Sequence, residues 1–321
     1  MRFAFTPDQL GLRDAVRDLL ERECTPAAVR AAWDAPPGDL DRKVWDHLAE
    51  MGVLHVLVPE SQGGLGLDFC SLVLLLEEAG RFCLPHPISD TAAVAAPLLG
   101  ARLDGSMVAV SLAGSPVSCG LDADKIVVDD DGALVLAERD EVMLEPLSGV
   151  DRARRLAGVE AIADAAMLLT DDPHAIDAAF DRAALGAAAQ LIGLGQAMLD
   201  LTVGYVTARK QFGAPVGSFQ AVKHRLADAL QQLEFARPPV YRAAWSVAEQ
   251  SATAPRDVSM AKAMASDAAG FVGRQALQCH GAIGYTVEYD LHLYLKRTWA
   301  LARACGDAAW HRDRVAAALD I

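Results

Sequence analysis

Apolar residues recur at helical spacing near the start of the chain. Leu12, Val16 and Leu19 form one stripe, and the segment before them reads Thr6-Pro7-Asp8-Gln9. A hydroxyl cap followed by proline and by a glutamine three residues later is typical of a helix start. The same spacing predicts helices over residues 39–51, ending at Gly52, and over residues 69–81. Residues 1–102 are therefore predicted to form an N-terminal helical domain.

The pattern changes between residues 103 and 172. Short apolar runs rich in β-branched residues are separated by turn residues, and they cover residues 107–112, 125–128, 133–137, 142–144 and 165–170. Asp131-Gly132 between two of these runs is a hairpin signal. This stretch is predicted to be a small β domain.

Helical spacing returns from residue 173 to residue 321. Apolar steps of three and four residues predict four long helices, over residues 185–206, 219–233, 259–280 and 291–319. Long helices with short connections favour an antiparallel four-helix bundle. The predicted fold class is mainly α with a small β domain.

Composition restricts the possible functions. The 321 residues are 52% hydrophobic and carry a formal charge of −14, which disfavours binding to nucleic acid. No apolar run approaches the roughly 20 residues that cross a bilayer, so no membrane span is predicted. The six cysteines form no CxxC pair, which indicates reduced thiols in a cytoplasmic protein without a metal site.

The most informative motif reads Arg209-Lys210-Gln211-Phe212-Gly213-Ala214-Pro215, followed by Phe219-Gln220. Gly213 and Pro215 are helix-stop residues, which places Arg209 in the last turn of a helix. A guanidinium binds a pyrophosphate in a bidentate manner and keeps its charge. Gln220 opens the next helix, whose N-terminal amides favour anions.

A second motif lies near the end of a later helix and reads Gln278-Cys279-His280-Gly281-Ala282-Ile283-Gly284-Tyr285. Its glycines allow close backbone approach to a ligand. Each of these residues has an ordinary alternative, in which Arg209 pairs with a surface carboxylate and the glycines cap helices. As an ordered set, they favour a grip on a nucleotide.

With these motifs the chain resembles the acyl-CoA dehydrogenases over nearly its whole length. Further matching segments are Pro59-Glu60 with Gly63-Gly64-Leu65-Gly66, and Leu226-Ala227-Asp228. The resemblance implies an N-terminal helical domain (1–102), a shortened middle β domain (103–172) and a C-terminal four-helix domain (173–321). It also implies FAD shared across a subunit boundary. The residues expected to reach the ADP half of a neighbour's flavin are Arg209, Gln211, Phe212, Gln220, Gln278 and Gly281.

The residues for the reaction itself depart from the family. The family removes the α-proton of a thioester with a glutamate, in one of two places. The resemblance aligns these places with Cys305, in Ala304-Cys305-Gly306-Asp307, and with Ala183. Alanine is no base, and a thiol in an apolar site stays protonated. No catalytic residue is therefore expected.

The family's own flavin contacts are also missing. No Thr-Glu-Pro…Gly-Ser-Asp segment occurs in the middle domain, and Asp307 stands where a threonine touches the subunit's own flavin. A carboxylate there would repel a pyrophosphate.

Three hypotheses follow. In the first, the chain is a non-catalytic, FAD-sharing subunit that completes the flavin site of a homologous catalytic dehydrogenase. The assembly would be an α2β2 heterotetramer, as in the paired-subunit enzymes of actinobacterial steroid side-chain catabolism, with the acyl-CoA substrate in the partner. In the second, it is a self-sufficient flavoenzyme, a monooxygenase or a dehydrogenase with His311 or Glu249 as base. In the third, it is a scaffold that binds no flavin. The acyl group and the electron acceptor stay open.

Overall fold

The structure is a computed structural model that describes residues 4–163 and 165–321. The fold is mainly α with a small β domain, as predicted. The predicted first helix is confirmed, because the Thr6 side chain accepts a hydrogen bond from Gln9 N at 3.2 Å and Gln9 Oε1 accepts one from Thr6 N at 2.9 Å. This reciprocal box satisfies two amides that the first helical turn leaves free.

Five of the α-helices lie within residues 4–103. They are α1 (Pro7–Glu23), α2 (Pro26–Asp34), α3 (Lys43–Glu50), α4 (Phe69–Arg81) and α5 (Ala96–Leu99). A π-helical turn over Asp90–Ala95 precedes α5. Helix α2 was not predicted, and α3 begins four residues later than the predicted start at residue 39. The first turn of α3 starts only at Lys43, whose amide donates to the Asp41 side chain at 2.9 Å.

Two small sheets follow. Their strands are β1 (Val108–Ser111), β2 (Lys125–Asp130), β3 (Ala133–Glu138), β4 (Val142–Pro146), β5 (Ala157–Ile162) and β6 (Met167–Thr170). One sheet has the order β1-β2-β3-β6, and β4 pairs with β5. The predicted hairpin joins β2 to β3, where Asp131 and Gly132 have φ values of 48° and 85°. Strand β5 was not predicted.

The C-terminal half contains the long helices. They are α6 (Pro173–Ala208), α7 (Gln220–Ala248), α8 (Ala254–His280), α9 (Leu291–Arg303) and α10 (Ala308–Ala318). The prediction of one helix over 291–319 is wrong, because Cys305 and Gly306 adopt left-handed φ values of 53° and 90°. That conformation ends α9 and lets α10 turn back. The domain boundaries after residues 102 and 172 stay a prediction.

Helix α6 is the centre of the fold and packs against α4 at two glycines. A Cβ on Gly193 would lie 1.9 Å from Glu77 O, and one on Gly80 would lie 2.1 Å from Gln190 O. Within the described residues, α6 is also the one helix long and apolar enough to cross a membrane, contrary to the expectation that no such run exists. Its most apolar stretch is 83% buried, as expected for a core helix.

Arg297 on α9 connects the three parts of the chain. Its Nη1 donates to the carbonyl of Leu84 at 2.7 Å, and its Nε donates to the carboxylate of Asp151 beside the β domain. The two side chains are 5% and 0% exposed. Burial by itself lowers the pKa of Arg297, but the adjacent Asp151 carboxylate acts in the opposite direction, and this pKa lies above its ordinary value. The pair fixes the wall of the cavity described below.

Candidate functional site

The predicted nucleotide grip begins where α6 ends. The helix stops at Ala208, and Arg209 follows it as an extended C-cap, not within the last turn as predicted. Residues Lys210–Gln211 then pair with Ala214–Pro215 in a short hairpin. At its tip, Phe212 and Gly213 have φ values of 52° and 78°, which is the geometry of a type I′ turn. This hairpin projects Arg209, Gln211 and Phe212 from the end of the bundle.

All six predicted cofactor residues are exposed. Phe212 is 95% exposed and contacts Phe219 edge-on, with ring centroids 6.3 Å apart. Gln220 is the first residue of α7. Gln278 lies in the last turn of α8, and Gly281 ends that helix with a φ of 65°. Such exposure suits residues that reach a ligand outside their own subunit.

The structure brings the two motifs to one end of the bundle. Tyr205 near the end of α6 stacks on His280 at the end of α8, with ring centroids 4.5 Å apart. Arg225 near the start of α7 donates to Gln275 of α8 at 2.8 Å. We call this end of the bundle, with its six predicted cofactor residues, the hairpin end.

The hairpin end carries positive charge in an acidic protein. Arg209, Lys210 and Lys223 are exposed, and within residues 4–163 and 165–321 none of them forms an ion pair. The alternative in which Arg209 pairs with a surface carboxylate therefore has no support in the structure. Unpaired cations beside the first turn of α7 fit an anionic group such as the pyrophosphate of FAD.

A separate cavity of about 400 Å³ lies between the β domain and the first half of α6. Ala183 and Cys305, the two positions expected to correspond to the family's base, both line it. The fold thus brings them to one place although they are far apart in sequence. Neither side chain carries a carboxylate.

Cys305 is held in this wall by two buried side chains. Lys262 donates from Nζ to Ala302 O at 3.2 Å and to Gly306 O at 3.0 Å. His311 Nε2 lies 2.9 Å from the carbonyl of Cys305. Burial raises the pKa of the Cys305 thiol to about 11, so the thiol is protonated and is neither a base nor an activated nucleophile at neutral pH.

The bases proposed as substitutes lie elsewhere. His311 is fully buried under the Cys305 loop, and burial lowers its pKa to about 4. Glu249 is exposed just after α7. Neither lines the cavity. Asp90, which was not predicted as a site residue, does line the cavity, and burial raises its pKa to about 7. Its signal was a single acid preceding the apolar run 92–96.

The surroundings of Asp307 bear on whether the chain can bind a flavin of its own. Its carboxylate caps α10 and accepts hydrogen bonds from Ala309 N and Trp310 N, both at 3.0 Å. These bonds lower the pKa of Asp307, so the group is ionised. The helix N-terminus next to the cavity therefore holds its own anion and disfavours a pyrophosphate.

The described residues contain no cluster of three or more His, Cys, Asp or Glu side chains able to hold a metal ion. All six cysteines are free.

Comparisons with known proteins agree with this architecture. Residues 6–101 match the N-terminal domain of acyl-CoA dehydrogenases, and residues 174–319 match the C-terminal domain. The chain is 34% identical to the acyl-CoA dehydrogenase IpdE2 of Mycolicibacterium smegmatis, over 92% of this chain and 93% of that protein. It superposes on a solved Tcur3481–Tcur3483 steroid ACAD with a TM-score of 0.85 and 27% identity, over 98% of each chain. Butyryl-CoA dehydrogenase from Megasphaera elsdenii shares the fold, with a TM-score of 0.87 at 21% identity over the full length of both chains. The chain belongs to the acyl-CoA dehydrogenase family.

Proposed function

We propose that this chain is the non-catalytic, FAD-sharing subunit of a heteromeric acyl-CoA dehydrogenase. Its partner is a homologous catalytic subunit in an α2β2 assembly, which binds the acyl-CoA and supplies the glutamate base. Bound FAD would supply the acceptor for the β-hydrogen that leaves the substrate as hydride. A cytoplasmic location belongs to the same proposal.

One asymmetry supports this function. The hairpin end presents three exposed cations without ion pairs among the described residues, while both base positions in the cavity lack a carboxylate. The chain thus keeps the surface it would offer to a neighbour's cofactor. It lacks a carboxylate at both positions where the family places its base.

The ionised Asp307 supports the same conclusion. It occupies the helix N-terminus beside the cavity, whereas Arg209 at the hairpin end is unpaired among the residues described. A pyrophosphate is favoured at the hairpin end and disfavoured at the N-terminus of α10. We propose half as many flavins as chains on this basis.

The substrate class is the least constrained part. Similarity to a structure described as a steroid ACAD supports a CoA ester of a steroid side chain. The acyl group itself and the electron acceptor are not part of the proposal.

The test uses the complex isolated through an affinity tag on this chain from the cells that naturally make it. We expect one FAD for each pair of different chains, and a colourless protein when this chain is produced alone. A lone chain that holds one FAD and dehydrogenates an acyl-CoA would refute the proposal.

The Arg209→Ala variant of that complex measures how much Arg209 contributes to FAD binding. Hydrogen bonds to charged groups contribute about 1.5–3 kcal/mol, so FAD affinity should fall roughly tenfold to a hundredfold. Arg152→Ala is the matched control, because it also removes one positive charge from the surface. The Arg152 guanidinium lies 3.4 Å from the Asp34 carboxylate in an exposed ion pair. Unchanged flavin content in Arg209→Ala would favour the scaffold hypothesis instead.

A second function, a self-sufficient flavoenzyme, is favoured by one observation. Asp90 is a carboxyl group in the cavity with a pKa raised by burial to about 7, which suits a general base at neutral pH. Asp90→Asn in the lone chain, supplied with FAD and an acyl-CoA, separates the two functions. Activity that this substitution abolishes would support the second, and no activity in either protein supports the first.

A further inference from the structure

The cavity between the β domain and α6 contains more charged groups than an acyl chain needs. Three arginines line it, namely Arg154, Arg297 and Arg303, and Asp90 is the one acid among the described residues that does so. Most of the remaining lining is apolar and includes Val110, Leu112, Ala183, Ala187 and Leu301. Charged groups in an apolar enclosure are costly unless they are paired, so their partners decide what the cavity binds.

The Asp90 and Asp151 carboxylates both act electrostatically on Arg154, but neither is hydrogen-bonded to it. The Nε and Nη2 of Arg154 both donate to the Ser118 hydroxyl, at 3.0 and 2.8 Å, and Arg154 forms no ion pair with any described residue. Burial lowers the pKa of Arg154, yet a guanidinium keeps its charge in proteins. The Nη1 group therefore stays available to a ligand in the cavity.

Arg297 also has an unused donor. Its Nε and Nη1 are bound to Asp151 and to the carbonyl of Leu84, but the buried Nη2 has no hydrogen-bond partner among the described residues. Arg303 adds a third guanidinium whose side chain is exposed at the rim. The charges of Arg297 and Asp151 cancel. When Asp90 is protonated, the remaining charges of the cavity are those of Arg154 and Arg303, and both are positive.

A neutral acyl chain would exclude water from these donors without binding them. A buried donor without a partner costs more free energy than one that water can reach. An anion that carries an apolar body satisfies both parts of the lining. We propose that the cavity binds a small carboxylic acid, with its carboxylate on Arg154 and the free donor of Arg297 and its apolar body against α6.

Asp90 makes this binding dependent on pH. The ionisable groups that face it are Arg154 and Cys119 from the β domain and Cys305 from the loop after α9. Burial raises the pKa of Cys119 to about 12 and that of Cys305 to about 11, so neither titrates near neutrality. A second carboxylate in the cavity raises the pKa of Asp90 further, and binding should take up a proton.

This inference does not depend on flavin sharing. The cavity touches α6 as far as Gln190, whereas the hairpin end begins beyond Ala208, 18 residues further along the helix. At about 1.5 Å per residue the two sites are roughly 27 Å apart. Failure of one experiment therefore leaves the other proposal standing.

The test is isothermal titration of the full chain with cyclohexanecarboxylate, and with cyclohexanecarboxamide as its neutral analogue. We expect the carboxylate to bind at least about tenfold more tightly, since one missing ionic partner typically costs that much. Its affinity should fall about tenfold for each pH unit above the pKa of Asp90. Asp90→Asn should remove this pH dependence.

Arg154→Gln should weaken carboxylate binding at least tenfold, and Arg154→Lys should restore part of it. Arg152→Gln is the control, since it lies two residues away with its side chain outside the cavity, and it should bind as the wild type does. Far-ultraviolet circular dichroism shows whether each variant is folded. Equal binding of the carboxylate and the carboxamide, tighter binding of inorganic phosphate, or wild-type affinity in a folded Arg154→Gln would overturn the inference.

Discussion

Replacing Arg297 with methionine should destabilise the whole protein. The substitution leaves Asp151, whose side chain is 0% exposed, as a buried carboxylate; among the described residues its one remaining donor is the Ala153 amide, at 3.2 Å. Breaking a buried pair from one side costs about 3–5 kcal/mol. The Leu84 carbonyl also loses its donor at 2.7 Å, which adds about 1 kcal/mol or more.

The expected total is therefore at least about 4 kcal/mol, a large part of the roughly 5–15 kcal/mol that holds a typical domain folded. At roughly 2–4 °C for each kcal/mol, the melting temperature should fall by about 10 °C. The assay is urea and thermal unfolding, followed by circular dichroism and by tryptophan fluorescence.

A double variant separates a lost charge partner from lost packing. Arg297→Met combined with Asp151→Leu removes both charges, and apolar replacement of a whole buried pair is often neutral. The double variant should be more stable than Arg297→Met alone, while Arg152→Ala at the exposed pair should change stability by less than about 1 kcal/mol. A loss under about 1 kcal/mol in Arg297→Met, or a double variant less stable than the single one, would refute this reasoning.

Three further predictions concern other parts of the fold. Burial lowers the pKa of Lys262 to about 8, so above that pH the unfolded chain holds a proton that the native state has released. Between about pH 8 and the unfolded pKa near 10.5, the unfolding free energy of the wild type should therefore rise by about 3 kcal/mol relative to that of Lys262→Met. A difference between the two unfolding free energies that does not vary with pH would contradict this prediction. Gly193→Ala places a methyl 1.9 Å from Glu77 O and should cost about 1–3 kcal/mol in urea unfolding, and wild-type stability would show that α4 and α6 are less tightly packed than described. Phe212→Ala removes a side chain that is 95% exposed and should leave the lone chain within about 0.5 kcal/mol of wild type but lower the flavin content of the complex; a stability loss without a flavin effect would assign Phe212 a structural role.

Much of the fold could be read locally. The capping box at Thr6 and the hairpin at Asp131-Gly132 depend on residues within three positions of one another. The long helices follow from apolar spacing within one segment. Errors arose where the signal was weak, as for strand β5, or where left-handed residues broke a periodic run, as at Cys305 and Gly306.

The sequence by itself determined the order of helical and β segments, the motifs of the family, and the absence of a carboxylate at Ala183 and Cys305. Only the tertiary structure decided that these two positions meet in one cavity and that Asp90 lies there with them. It also decided that Arg209, Lys210 and Lys223 at the hairpin end form no ion pair with a described residue. The physical reason is the separation along the sequence of the groups that interact. Helix caps, turns and periodicity are set by neighbours along the chain, whereas pairing, burial and the resulting pKa values depend on groups brought together from distant segments.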